Sequence, residues 1–193
     1  MKKKFLALAL ALTLALSLAA CGGKDAPAQD GTSDAPEASA PETEAPETPE
    51  ESPKEIDLAA FYDTLRAENT WPELMNLTED AAMTELLDSY YPGLSEISTK
   101  QCGVYVAAIS AAVGEIALVE VENAGDVQAV EDIFQARIDY QVGDDTNPGG
   151  AWYPETIEGW KTKSQIVSKG NYVMLAVGDA AGAAVESFEA LFA

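Results

Sequence analysis

Residues 56–193 predict an α+β domain: a four-stranded, mostly antiparallel sheet with helices over one face, in the order α-α-β-β-α-β-β-α. Three observations carry this reading. Apolar residues recur at helical spacing, switch to β-branched runs and switch back, and they do so twice. The runs come in pairs around short turn signals, Val113-Gly114 in the first pair and Gly170-Asn171 in the second, as hairpins require. The stretch is 138 residues long, enough for one core and too short for two domains. Helices must then cover the sheet, because a bare apolar face or stripe is not stable in water.

The elements follow in order. Ile56, Leu58, Ala59, Phe61, Tyr62 and Leu65 lie at helical spacing as far as Asn69, and Pro72 prevents continuation. Thr78 before Glu79 and Asp80 reads as a cap with acids suited to a helix N-terminus. Ala82, Met83, Leu86 and Leu87 extend that second helix to Tyr91, before Pro92 and Gly93. Trp71 beside Pro72 reads as a plug between these two helices. Val104–Ala112 and Glu115–Glu122 read as a hairpin, the second strand interleaving Ile116, Leu118 and Val121 with Glu120 and Glu122 as if one face met water. Asp126 caps a long helix through Val130, Ile133, Phe134 and Ile138 to Val142. After a loop from Gly143 to about Lys163, Ser164–Lys169 and Tyr172–Val177 form a second hairpin, and Asp179 starts a last helix containing Ala184, Val185, Phe188 and Leu191. The two strand-strand-helix units align residue on residue, Gly114–Leu118 over Gly170–Met174. That match reads either as an internal repeat or as the chance likeness of two amphipathic hairpins.

The N-terminal 55 residues are other materials. Lys2, Lys3 and Lys4 precede an apolar run from Phe5 to Ala20, broken only by Thr13 and Ser17, and Leu18-Ala19-Ala20 leads directly into Cys21. The basic, apolar, small-residue order is that of a secretory signal over residues 1–20, and the run is short of the roughly 20 residues a permanent span needs. It resembles the bacterial lipobox, which implies cleavage before Cys21 and a diacylglyceryl group on its thiol. The alternative is an ordinary cleaved signal with a cysteine nearby. Two acyl chains would hold the chain on the membrane. Residues 22–55 carry six of the ten prolines, ten acids and no aliphatic side chain larger than Ala. They cannot bury enough apolar surface to offset their ordering entropy and read as a disordered acidic tether.

Charge narrows the partners. The whole chain stands at −22, and residues 56–193 hold 23 acids against six basic residues, or −17. Such a domain repels nucleic acid and an anionic bilayer face alike. The lipid on Cys21 is therefore the expected membrane attachment, at the extracytoplasmic face, and no nucleic acid is expected as a partner.

The lysine-rich signal, acidic tether, helical start, Gly103–Glu122 hairpin and acid-rich helix are followed by Tyr153-Pro154, Ile166-Val167 and Gly170-Asn171-Tyr172-Val173. Together they resemble a family of small exported lipoproteins of Gram-positive bacteria known as domain of unknown function 4358. The resemblance covers about Ile56 to Ala193 and implies no activity, substrate or catalytic residue.

Catalytic constellations are sparse, and no catalytic residue is assigned. The chain has no histidine, which removes the common general base, the common zinc ligand and every nucleophile-histidine pair. Cys102 reads as a small buried hydrophobe rather than a nucleophile. A Ser164 paired with Lys161 or Lys163 lacks an elbow to present the hydroxyl. Acid pairs such as Glu120 with Glu122, Glu131 with Asp132 or Asp144 with Asp145 read chiefly as solvated faces. Asp144, Asp145 and Asn147 form a weak calcium candidate, against which Gly149 and Thr156 fall where further ligands belong. No cofactor is expected. Trp152, Tyr153 and Trp160 are the candidate contacts for a ligand or partner. The competing reading is a lid folded over the sheet.

These features favour a non-catalytic binding or interaction module of the cell envelope, taking a protein, peptide or glycan, over a small carboxylate-dependent hydrolase. A deep cleft with two facing carboxyls would separate the second from the first.

Overall fold

The structure, a computed structural model, describes residues 55–193. The signal sequence, Cys21 and the tether lie outside the described residues. Among the described residues no helix is long and apolar enough to cross a membrane.

Among the described residues five strands and five α-helices follow one another: α1 (Leu58–Glu68), β1 (Leu74–Asn76), α2 (Thr84–Tyr90), β2 (Thr99–Ala107), β3 (Glu115–Val121), α3 (Val127–Val142), α4 (Pro154–Thr162), β4 (Ser164–Lys169), β5 (Tyr172–Val177) and α5 (Ala181–Ala190). The strands form one sheet in the order β1-β2-β3-β5-β4, every neighbour antiparallel. The sheet is thus five-stranded, not four-stranded, and the element order gains β1 and α4. A three-residue strand is too short to show a period of two, so β1 is hidden behind Pro72. It exists because Leu74, Met75 and Asn76 pair with Ala107, Val106 and Tyr105 of β2.

Local signals set most of the helices. Asp57 caps α1, its Oδ1 accepting from the amides of Ala59 and Ala60 at 3.0 Å each. The second helix starts later than Thr78 suggests. Asp80, not Thr78, accepts from Ala82, a 3₁₀ turn covers Ala81–Met83, and α2 follows. α4 replaces the second half of the expected loop. Pro154 occupies its first turn, where a missing N–H costs nothing, and Thr156 Oγ1 bonds the backbone of Tyr153 in a side-chain-to-backbone cap.

Both faces of the sheet are covered, not one. In β3, Ala117, Val119 and Val121 face one core with Val104, Val106, Val173, Leu175, Phe134 and Trp160. Ile116 and Leu118 face the other with Tyr105, Met174, Leu65, Ala184 and Phe188. α2, α3 and α4 close the first face, and α1 and α5 close the second. All of β3 is buried, which corrects the expectation that one of its faces meets water. Both core faces need apolar side chains, and the acids Glu115 and Glu120 are buried with partners. Trp71 packs into the α1/α5 core, donating Nε1–H to the Leu65 carbonyl at 3.2 Å, and so does not lie between α1 and α2.

Leu118 and Met174, superposed in the alignment read from the sequence, are direct partners in the β3–β5 ladder. The helices after the two hairpins go to different faces, α3 to the first and α5 to the second. Gly178, between β5 and α5, adopts a φ of 131° that side-chain-bearing residues rarely take, and Ala181 beyond it enters the second core.

Candidate functional site

The four large apolar side chains left exposed in the described domain are Ile109, Tyr140, Trp152 and Tyr153. The first three line one cleft of about 360 Å³, and Tyr153 adjoins it in sequence. Scattered exposed hydrophobics need no explanation, whereas three of the four on one rim do.

The rim is held by backbone bonds. The last carbonyls of a helix have no partner within it, and at the end of α3 they are taken by the following loop: Gly150 N–H donates to Tyr140 O at 2.7 Å and Ala151 N–H to Gln141 O at 3.1 Å. The loop closes on itself at Gly143 and Gly149, both at positive φ, where a Cβ on either would meet the other's backbone within 3 Å. Trp152 therefore leaves the loop at a set point, beside Tyr140. Opposite, the β2–β3 connection contributes Ile109 and Ser110.

The floor is polar and buried. Arg137 lies on the apolar stripe of α3, in line with Val130 and Phe134, and is 3% exposed. Its Nε and Nη2 donate to Oε1 and Oε2 of Glu115, each at 2.9 Å, in a two-point pair. Tyr91 donates its hydroxyl to Glu115 Oε1 as well. Three rings surround the guanidinium, Tyr90 with its centroid 4.2 Å from Cζ, Trp160 at 5.3 Å and Tyr91 at 5.7 Å. Burial opposes the charge on Arg137, yet the Glu115 hydrogen bond and charge outweigh it and hold the guanidinium above its ordinary pKa. Burial first, and then Glu115, push the Tyr91 phenol well above its ordinary value, so it remains a donor. One group is left over: Arg137 Nη1 is buried and has no hydrogen-bond partner among the described residues.

The aromatic candidates separate. Trp152 is 83% exposed and Tyr153 half-exposed, whereas Trp160 is 5% exposed, on α4 rather than a loop, and packed in the core beneath the cleft. α4 comes this close because Gly159 has no Cβ, which would sit 2.6 Å from Val113. One tryptophan is thus exposed and the other packed in the core, so the two readings of this segment fall on different rings. The remaining candidates are accounted for structurally. Asp144 Oδ1 accepts from Thr146 N, Thr146 Oγ1 and Asn147 N, at 2.7, 2.7 and 2.8 Å, bonds that hold its carboxyl below the usual range and close a turn. Among the described residues no three metal-binding side chains gather. Burial raises the half-buried Cys102 thiol to about 11, away from nucleophile chemistry. Ser164 donates to Trp160 O at 2.6 Å, and Lys163 is paired with Asp179 at 2.5 Å.

Sequence reading missed Glu115, Arg137, Tyr90 and Tyr140. A signal for two of them was there: Arg137 is a charge at the i+7 position of a stripe that starts at Val130, and Glu115 shares the strand parity of Ala117, Val119 and Val121. A lone basic residue on an apolar stripe implies a buried acid on the facing strand.

A family model described as Domain of unknown function (DUF4358) matches residues 73–178, more than half of the chain, from the start of β1 to the end of β5 with the whole cleft between. No curated protein and no solved structure matches.

Proposed function

The chain belongs to the family of domain of unknown function 4358, and from that premise we propose that it is a membrane-anchored, extracytoplasmic binding module that works without catalysis. The single observation that carries the binding half of this reading is the gathering of three of the four large exposed apolar side chains of the described domain, Ile109, Tyr140 and Trp152, on one cleft rim. Aromatic side chains of this kind bring contact area at small entropic cost and are the usual anchors of recognition surfaces. The carboxylate nearest the cleft supports binding over hydrolysis, since both oxygens of Glu115 are already engaged by Arg137 and Tyr91. The anchoring half rests on the Lys2–Cys21 pattern and on an acidity that offers no second attachment to a membrane.

Two experiments test the two halves separately. Cys21→Ala is expected to release the chain from the membrane fraction with its fold intact, and a variant that stays membrane-bound refutes the anchor. Co-sedimentation with isolated cell-envelope material is expected to fall at least tenfold in a Trp152→Ala, Tyr140→Ala double variant. Unchanged retention refutes the cleft as the binding site.

A further inference from the structure

We infer that the cleft takes an extended, basic peptide segment, whose cationic side chains lie on the aromatic rim and one of whose backbone carbonyls accepts from Arg137. This rests on the binding reading above and adds the class of ligand. Three observations lead to it.

The first is the leftover donor. A buried N–H without an acceptor is a net cost to the fold, and Arg137, 97% buried, lines the cleft while its Nη1 has none among the described residues. The site therefore gains by receiving an acceptor. The second is that the acceptor need carry no charge. Glu115 already matches the guanidinium at two points, so the pair is neutral as a unit and an anionic ligand would face Glu115 uncompensated. A carbonyl suits it; a carboxylate or phosphate does not. The third is the field around the cleft. The only charged side chains in its lining are Glu115 and Arg137, already paired with each other, and the domain around them holds 23 acids against six basic residues. Asp144, Asp145 and Glu155, all exposed, stand on the same stretch as Trp152 and Tyr153. A ligand reaching the rim is selected for positive charge, and the faces of Trp152, Tyr153 and Tyr140 receive ammonium or guanidinium groups. An extended peptide alone combines neutral carbonyls with side-chain cations. A neutral saccharide answers the rings and the donor but not the field. The chain's own tether, with ten acids, is repelled by it.

The test uses the full-length chain and three probes: N-acetylated, amidated pentalysine; spermine, a cation of similar charge with no carbonyl; and chitotetraose, a neutral sugar. Arg66 and Arg137 are the chain's two arginines and Trp71, Trp152 and Trp160 its three tryptophans, so their side-chain N–H resonances are readily assigned. Pentalysine is expected to shift the Trp152 indole and the Arg137 guanidinium together, with affinity falling at least tenfold in Trp152→Ala and falling as salt is raised. Spermine is expected to bind at least tenfold more weakly and to leave Arg137 unmoved. Pentalysine binding that is unchanged in Trp152→Ala, or spermine binding equally well, overturns the inference by reducing it to diffuse charge. A response of Trp152 to chitotetraose but not to pentalysine overturns it while leaving the cleft a binding site. Silence of Trp152 to all three counts against both readings.

Discussion

Under α1 and α5 the sheet is closed by apolar contact: Phe61 packs on Phe188 with ring centroids 6.1 Å apart, Phe188 on Phe192 at 5.2 Å, and Tyr62 stacks on Tyr105 at 3.4 Å. Its buried acid, Glu120, sits at the far end of β3, where it reaches the exposed Lys100 at 3.1 Å and receives a Gln101 amide at 2.7 Å. Under α2, α3 and α4 the same strands face an ion pair with no exposed partner at all. The face under α1 and α5 closes on apolar rings. The face under α2, α3 and α4 carries a desolvated charged pair, leaves one donor unmatched among the described residues and opens above it as a cleft. A buried pair is weak evidence for stability and better evidence that its position matters, and the family match covers the sheet and this face while leaving α1 and α5 outside.

The comparison is broken most severely by removing one charge. Arg137→Ala leaves Glu115 buried and unpaired and opens a cavity, and is expected to lower stability by about 3–5 kcal/mol or more, read by urea denaturation. Glu115→Leu combined with Arg137→Met is expected to recover most of that loss. A double variant as unstable as the single one would mean that the pair holds the face together rather than the cleft.

Next in size is the contrast between two tryptophans. Trp160→Ala is expected to cost about 3–5 kcal/mol, as truncation of a buried aromatic does, and Trp152→Ala less than about 0.5 kcal/mol. Thermal denaturation of the two variants checks this directly. Equal losses would place Trp152 in the core and remove the rim on which the binding reading depends.

The smallest effect sharpens the contrast through pH. Burial pulls Glu120 upward, but hydrogen bonds from Gln101 and Lys100 outweigh it and hold its carboxyl below its ordinary value of 4.5. A lowered folded-state pKa contributes stability that is present above the unfolded value and lost as pH falls through the folded one. Stability measured from pH 6 downward is therefore expected to decline below about pH 4.5, and Glu120→Gln to flatten part of that decline. An unchanged slope in the variant would show that Glu120 is not held by its neighbours.

Much of the fold was legible along the chain. β4 and β5 lie where alternation and the Gly170-Asn171 turn place them, and α3 runs from Val127 to Val142 along its stripe, although Asp126 ends a 3₁₀ turn before it and makes no side-chain cap. The site was half legible. Trp152 and Tyr153 stood out as aromatics beside Pro154, yet nothing local distinguished Trp152 from Trp160. The difference between them is a helix started by Pro154 and brought down by the missing side chain of Gly159.

Local physics thus determined by itself the elements with their own period, caps and turns, the strong net negative charge, and the absence of histidine chemistry. Each of these depends on residues within a turn or two of one another, or on composition alone. Tertiary structure decided the fifth strand, the second covered face, the meeting of Glu115 with Arg137 across 22 residues, and the gathering of Ile109, Tyr140 and Trp152 on one rim. Those outcomes depend on which face a helix takes after it leaves a strand. The consequences of that choice appear only where distant segments touch.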